Sequence, residues 1–447
     1  MTIDMTYKIP KTQPDLPVEL LDHILSFLQA DPRTLSVCMS ANIVLCHLAQ
    51  RHFCHILRLQ NVPKHPPDGP EPPQILKLLT SSPHLATHVR TVRLVFRFPS
   101  LIERLSLLST YESHMANILK TLVGVKEVHL GTKRPNIMSW ETIPSTFQSE
   151  FRIFLRRSSV TSMGIDYFTA FPLSILNDCA SLRSLSLVGG FSFSPNGGVN
   201  GSEKSTLGEN SQSTSRPRLE RFNFYGVLQD SLSVVVAWFE SPGSPDLSTL
   251  TFFCAKTSHR EDHHRITRLL QMTRSLNILE LEFGREICLF YNPLAADVAH
   301  TLPHVNLLLA SLTKLRHLKI SAVFSSTTDF FVSSDGEGLH EHTVYSHPLS
   351  WIVLFLTPLL EHKNLKRIIF HFKIEMTPHV LRNYVSWKDL STVLLSIQSS
   401  SGLKKVRMTC TPVKRPLSEK KEFIEVFNSD EHLSQLVETS LLEISQL

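Results

Sequence analysis

The sequence predicts an α/β fold: a short all-helical module at the N-terminus, then a long, irregular solenoid in which strands and helices alternate around a curved parallel sheet. Three observations carry this reading. The chain opens with apolar residues at helical spacing, a proline-dense stretch follows, and a short strand-like pattern then recurs to the C-terminus with helix-length segments between its copies.

At 447 residues the chain exceeds what one hydrophobic core normally serves, so it must divide or extend as repeats. Lysine and arginine total 45 against 40 aspartates and glutamates, and this surplus of +5 forms no long basic block, so nucleic acid is not implied. No stretch offers the apolar core of a signal peptide or a membrane span, which places the expected protein inside the cell, in cytoplasm or nucleus, and off the membrane. Cys38, Cys46, Cys54, Cys179, Cys254, Cys288 and Cys410 form no CxxC pair and read as reduced, mostly buried thiols.

After a tail over 1–14, residues 15–59 read as the helical module. In DLPVELLDHILSFL (15–28), Pro17 suits a first helical position and Glu19 complements the positive end of the helix dipole. Leu16, Leu20, Leu21, Ile24, Leu25, Phe27 and Leu28 sweep about 180° of the wheel, more than one core contact uses. Asp31-Pro32 then signals a second helix, and helical spacing continues through Leu35, Cys38, Leu45, Leu48 and Ile56. Three short helices bury too little surface to be stable alone, so the spare apolar face calls for a partner or for the rest of the chain.

LPVELLDHILSFL, followed by DPRTL, a cysteine-containing helix and RHFCHILRL, resembles the F-box of fungal F-box proteins. The similarity covers about a tenth of the chain. It implies a module that packs on the Skp-type adaptor of a cullin-RING (SCF-type) ubiquitin ligase, with Leu16, Pro17, Glu19, Leu20, Ile24, Leu25, Leu28 and Leu35 in contact. The rest of the protein would then select the target for ubiquitination, with no catalysis of its own. Where that family usually has Cys-Arg-x-Trp, this chain has Asn42-Ile43-Val44-Leu45. The other reading of residues 15–58 is a helical cap on the repeats, which would make the protein an interaction scaffold uncoupled from ubiquitination.

Residues 60–74 read as an extended linker, proline-dense and polar over VPKHPPDGPEPP. The body, 75–447, carries apolar residues at i, i+3 and i+5, the L-x-x-L-x-L pattern of a leucine-rich-repeat-like strand. Copies begin at Val89, Val125, Val160, Leu182, Leu219, Leu247, Leu276, Leu315, Leu365 and Leu403, spaced from 22 residues (Val160 to Leu182) to 50 (Leu315 to Leu365). Segments such as STFQSEFRIFLRRS, DSLSVVVAWFE and SWKDLSTVLLSIQ read as the intervening helices. SSPHLATHVRTVRL (81–94) also resembles the opening of the repeat region in the same fungal family. The polar, glycine-rich stretch 191–218 reads as a disordered insertion, 324–347 as a milder one, and the last residues as one or two capping helices.

Residues between the buried positions of each strand point outward and are the candidate target-binding set: Arg93, Glu127, His129, Arg221, Asn223, Tyr225, Glu280, Glu282, His317, Lys319, Arg367, His371, Lys405 and Arg407. The histidines and cysteines between Cys46 and His55 lack metal-ligand spacing, and GGVNGSEKST lacks the glycine and following helix of a phosphate loop. No metal, cofactor or catalytic set is expected.

Overall fold

The computed structural model of the chain describes residues 16–29, 31–61, 71–97, 106–132, 137–189, 216–226, 230–257, 262–284, 309–332, 339–346, 348–413 and 417–446. The expected insertion over 191–218 and the proline-dense residues 62–70 lie almost entirely or wholly outside these. Two compact units are present, residues 1–129 with 144–158, and residues 130–143 with 159–447.

The first unit opens with α1 (Val18–Ser26), α2 (Pro32–Ala41) and α3 (Ile43–Phe53). The Asp31 carboxylate accepts the backbone N–H groups of Arg33 and Thr34, and Pro32 sits in the first turn of α2, where its missing N–H costs nothing. Asn42 caps α3, its Oδ1 accepting the Leu45 N–H at 2.8 Å. Leu25, Leu35 and Ala49 form a small core, with Leu28, Cys38, Met39, Leu45 and Leu48 packed against it.

The third helix stops earlier than its spacing predicts. Ile56–Gln60 is a strand, β1, parallel to β2 (Thr91–Phe96) with Ile56 opposite Thr91. The reason is legible afterwards: Cys54, Leu57 and Leu59 carry the same i, i+3, i+5 spacing as the later copies. The expected linker over 60–74 also ends early, because α4 (Pro72–Ser81) begins within it, Gln74 Oε1 accepting the Glu71 N–H at 3.3 Å. β3 (Glu127–Thr132) continues from β2 through N–H bonds of Lys126 and Glu127 to the Arg90 carbonyl. α5 (Ser106–Thr121) and α6 (Ser145–Arg157) cover the strands. Phe147, Phe151 and Phe154, spaced to share one helix face, are fully buried, and Phe147 meets Phe96 of β2 edge-on at 5.3 Å.

In the second unit β5 (Ser162–Asp166), β7 (Ser184–Gly189), β8 (Arg221–Gly226), β9 (Phe252–Thr257), β10 (Ile278–Phe283), β11 (His317–Val332), β13 (Arg367–Ile374), β14 (Lys405–Pro412) and β15 (Leu442–Gln446) pair in that order, all parallel. β4 (Met138–Ser139) and β6 (Phe168–Thr169) form a separate parallel pair. Helices stand between most strands: α7 (Ser231–Glu240), α8 (Asp262–Gln271), Leu349–Leu356, Pro378–Tyr384, Lys388–Ser401, Leu417–Ser429 and Glu431–Glu438. The fold is thus α/β with a large parallel sheet.

A strand starts two residues after most copies of the repeat: Leu315 leads to His317, Leu365 to Arg367, Leu403 to Lys405. The apolar residue i is buried on the approach to the strand, and i+3 and i+5, two residues apart, face the same side within it. The copy placed at Leu247 is the exception and is corrected. Phe252 pairs with both Arg221 and Ile278, so the copy begins at Leu250, and Leu250, Phe253 and Ala255 are the buried set.

Two further expectations change. Residues 324–347 hold the end of β11 and all of β12 (Leu339–Ser346), paired antiparallel from Ser325 opposite Ser346 to Val332 opposite Leu339. Their content of threonine, phenylalanine, valine and tyrosine favours strand over loop. The C-terminal stretch forms two helices as expected but ends in β15, which adds a parallel strand beside β14.

Candidate protein-docking surfaces

The α1–α3 module has one face packed and one open. Leu20, Ile24 and the C-cap residue Phe27 fall within about 60° of the α1 helical wheel, Leu16 lies just before the N-cap Pro17, and Leu16, Leu20, Ile24 and Phe27 are 46%, 49%, 49% and 73% exposed. Val18, Val37, Ile43 and Phe53 add exposed apolar surface on the three helices. Pro17 and Glu19 are also exposed, and Leu28 is half-buried.

Leu25 and Leu35 were expected on the contact surface, and the structure corrects this: they are 3% and 1% exposed and hold the module together. Leu25 sits about half a turn from the open stripe, facing Leu35 and Ala49. Asn42 and Leu45 also have inward tasks, as cap and core, while Ile43 between them is 75% exposed.

A polar clamp that sequence reasoning missed fixes the open face. Asp22 Oδ1 lies 2.8 Å from His52 Nε2, Gln29 Nε2 lies 2.9 Å from His52 Nδ1, and Arg51 reaches Asp22 at 3.4 Å. With the proton on Nε2, His52 donates to Asp22 and accepts from Gln29, so both ring nitrogens of this buried histidine are satisfied. Asp22 and His52 lie thirty residues apart, and no local sequence signal joins them.

The second surface is the outward side of the second unit's sheet. Register brings the candidate residues into rows across neighbouring strands. One row reads Arg221, Phe252, Ile278, His317, Arg367 and Lys405, the next Asn223, Cys254, Glu280, Lys319, Ile369 and Arg407, and a third Tyr225, Lys256, Glu282, Ser321, His371 and Thr409. Arg93, Glu127 and His129 belong to the first unit, where Thr91 Oγ1 donates to the Glu127 carboxylate at 3.3 Å.

Much of the charge in the second and third rows is internally paired. Glu282 Oε1 accepts from Lys256 and Lys373 at 2.8 Å each, and Glu280 accepts from Lys319 at 3.1 Å. Burial works against the charged form of Glu282, but the two lysines outweigh it and hold its carboxyl below the usual carboxylate range. Burial pushes the Cys254 thiol up, and its sulfur lies 3.5 Å from the Tyr225 hydroxyl, which burial and that hydrogen bond also push up. Burial and then Lys373 and Lys319 lower His371, whose Nε2 lies 3.2 Å from Thr411 Oγ1. On β15, Glu443 takes Lys405 and Arg407 as partners, whose hydrogen bonds hold its carboxyl down at about 2.

Lys256 and Lys373 were missed for physical reasons. With the copy placed three residues early, Lys256 has no outward position, and Lys373 lies beyond the six residues of the repeat pattern on a longer strand. Among the described residues no group of three or more His, Cys, Asp or Glu side chains is placed to hold a metal ion, and no helix is long and apolar enough to cross a membrane. No protein-family model matches the chain, and no curated protein matches it.

Proposed function

We propose that the chain is a non-catalytic target-recognition subunit of a cullin-RING ubiquitin ligase. In this reading α1–α3 are an F-box-like module that docks on a Skp-type adaptor, and the strand–helix repeats form an irregular leucine-rich-repeat-like solenoid that presents a target protein. The observation that carries it is the open apolar stripe Leu16, Leu20, Ile24 and Phe27 on a module whose core is already complete without it. Burying each of these half-exposed side chains on a partner contributes about 1 kcal/mol, enough together for a specific interface when the surface is held rigid. Pro17 and Glu19 flank the stripe; Leu25 and Leu35 support it from beneath.

The test is a pull-down of the full chain with purified Skp-type adaptor. Binding by the wild type, lost in Leu20→Asp with Ile24→Asp while the melting temperature holds, is the expected result. No binding by the wild type, or equal binding by the double variant, removes the proposal.

A second reading draws on a different observation. α3 packs on the turn Pro83–His88 and passes into β1 through Cys54 and His55 alone. Helices in that position cover the start of a repeat array, and the protein is then an interaction scaffold outside the ubiquitin system. Failure of the adaptor pull-down with a folded protein favours this reading.

A further inference from the structure

The turns that lead into β11, β13 and β14 carry the same chemistry. Arg316-His317, Lys366-Arg367 and Lys404-Lys405 occupy equivalent places, each directly after a buried leucine: Leu315, Leu365 and Leu403. Register puts His317 opposite Arg367 and Arg367 opposite Lys405. The residues just before them are locked into a second row by main-chain bonds: Lys366 and Arg367 N–H donate to the Arg316 carbonyl at 2.9 and 3.1 Å, and Lys404 and Lys405 N–H to the Lys366 carbonyl at 3.0 and 3.3 Å. Five lysines and arginines and one histidine therefore stand at the entries of three neighbouring strands, about 4.8 Å from one strand to the next.

Earlier turns of the unit do not share this. The equivalent pairs are Arg183-Ser184, Glu220-Arg221, Thr251-Phe252 and Asn277-Ile278, and Arg183 is paired with Glu220. Within the basic rows, Lys405 has Glu443, but among the described residues Arg316, Lys366, Arg367 and Lys404 make no ion pair with a carboxylate. Arg316, Lys366 and Lys404 are exposed, and the Nε of Arg367 is buried without a hydrogen-bond partner. Burial, then Arg367, Lys366 and Arg316, lower His317, and no carboxylate opposes them. Like charges on facing strand positions destabilise a sheet, so this arrangement is a standing cost to the free protein that an external anion relieves.

We propose that these turns form a docking site for a short protein segment rich in aspartate and glutamate, with Arg316, Lys366 and Lys404 as its outer contacts and Arg367 as the inner one. The site spans only about 10 Å across three strands, which suits a few consecutive carboxylates and is short for the phosphate track of a nucleic acid. Among the described residues the three turns hold no phenylalanine, tyrosine or tryptophan on which bases could stack, and Phe252, further along the same row, lies under Arg221 at 4.6 Å to the ring centroid. The inference is independent of what α1–α3 bind.

Fluorescence anisotropy of the full chain with a labelled ten-residue Asp/Glu peptide tests it, against a Gly/Ser peptide and a single-stranded DNA of the same length. The acidic peptide is expected to bind at low salt, to weaken at least about tenfold between 50 and 200 mM salt, and to lose at least about tenfold in R316E/K366E/K404E. K77E/R152E/K388E, which reverses three exposed basic residues outside these turns, is the charge-matched control and should bind as the wild type does. If the triple reversal fails to fold, R316Q/K366Q/K404Q is read in its place, with folding checked by circular dichroism. No binding of the acidic peptide, unchanged binding in the folded triple variant, or tighter binding of the DNA overturns the proposal.

Discussion

His52 closes on Asp22 across 2.8 Å, joining the end of α3 to the middle of α1, and Gln29 fills the other side of the ring. Replacing His52 by alanine leaves Asp22 and Gln29 without their shared partner and is expected to cost about 1–3 kcal/mol. Hydrogen exchange should show protection falling in residues 18–53, with β13 and β14 unaffected.

The two faces of α1 should separate cleanly on mutation. Leu20→Asp and Ile24→Asp alter exposed positions and should each change stability by no more than about 0.5 kcal/mol. Leu25→Ala and Leu35→Ala open the small core and should each cost about 2–5 kcal/mol, as read by chemical denaturation. Similar losses at Leu20 and Leu25 would mean that the stripe is covered within the monomer.

The corrected register of β9 gives opposite expectations for adjacent phenylalanines. Phe253 is 1% exposed and stacks on Phe222 at 5.5 Å, so Phe253→Ala should cost about 3–5 kcal/mol. Phe252 faces outward beneath Arg221, and Phe252→Ala should cost only about 0.5–1 kcal/mol. Thermal melts of the two variants decide the register.

Glu112 gives the first unit a pH dependence. Burial pushes its carboxyl up to about 7, and a hydrogen bond with Asn61 offsets this only in part. The folded form keeps the proton that the unfolded chain gives up near pH 4.5, so stability falls as pH rises from there through about 7. Glu112→Gln is therefore expected to match the wild type below pH 4 and to exceed it by about 1–3 kcal/mol above pH 8, measured as denaturation midpoints across that range.

Much of the fold was legible because its repeat leaves a mark wherever the buried residues are large. Leu315, Leu318 and Ile320, or Leu365, Ile368 and Phe370, admit one register only. At Leu247 the sequence offers two, since Leu250 and either Phe252 or Phe253 complete a pattern and Ala255 is too small to break the tie. β15 was hidden because, with Leu442 opposite Val406 and Ile444 opposite Met408, Thr439 stands where Leu403 marks the approach to β14. For the docking surfaces, the width of the apolar sweep on α1 was readable, but not which half turns inward. That is decided by α2 and α3, through Leu35 and Ala49. The ion pairs of Glu282 join residues up to 91 positions apart and are set by register alone.

Only Cys54 and His55 separate Phe53 from Ile56, so helix passes to strand without slack. Whatever grips α1–α3 is then held as if by a bracket and not by a tether: it keeps a set angle to β1 and β2, and a pull on the helices reaches the strands at once. Lengthening that join with two glycines should leave the grip itself intact while losing the aim.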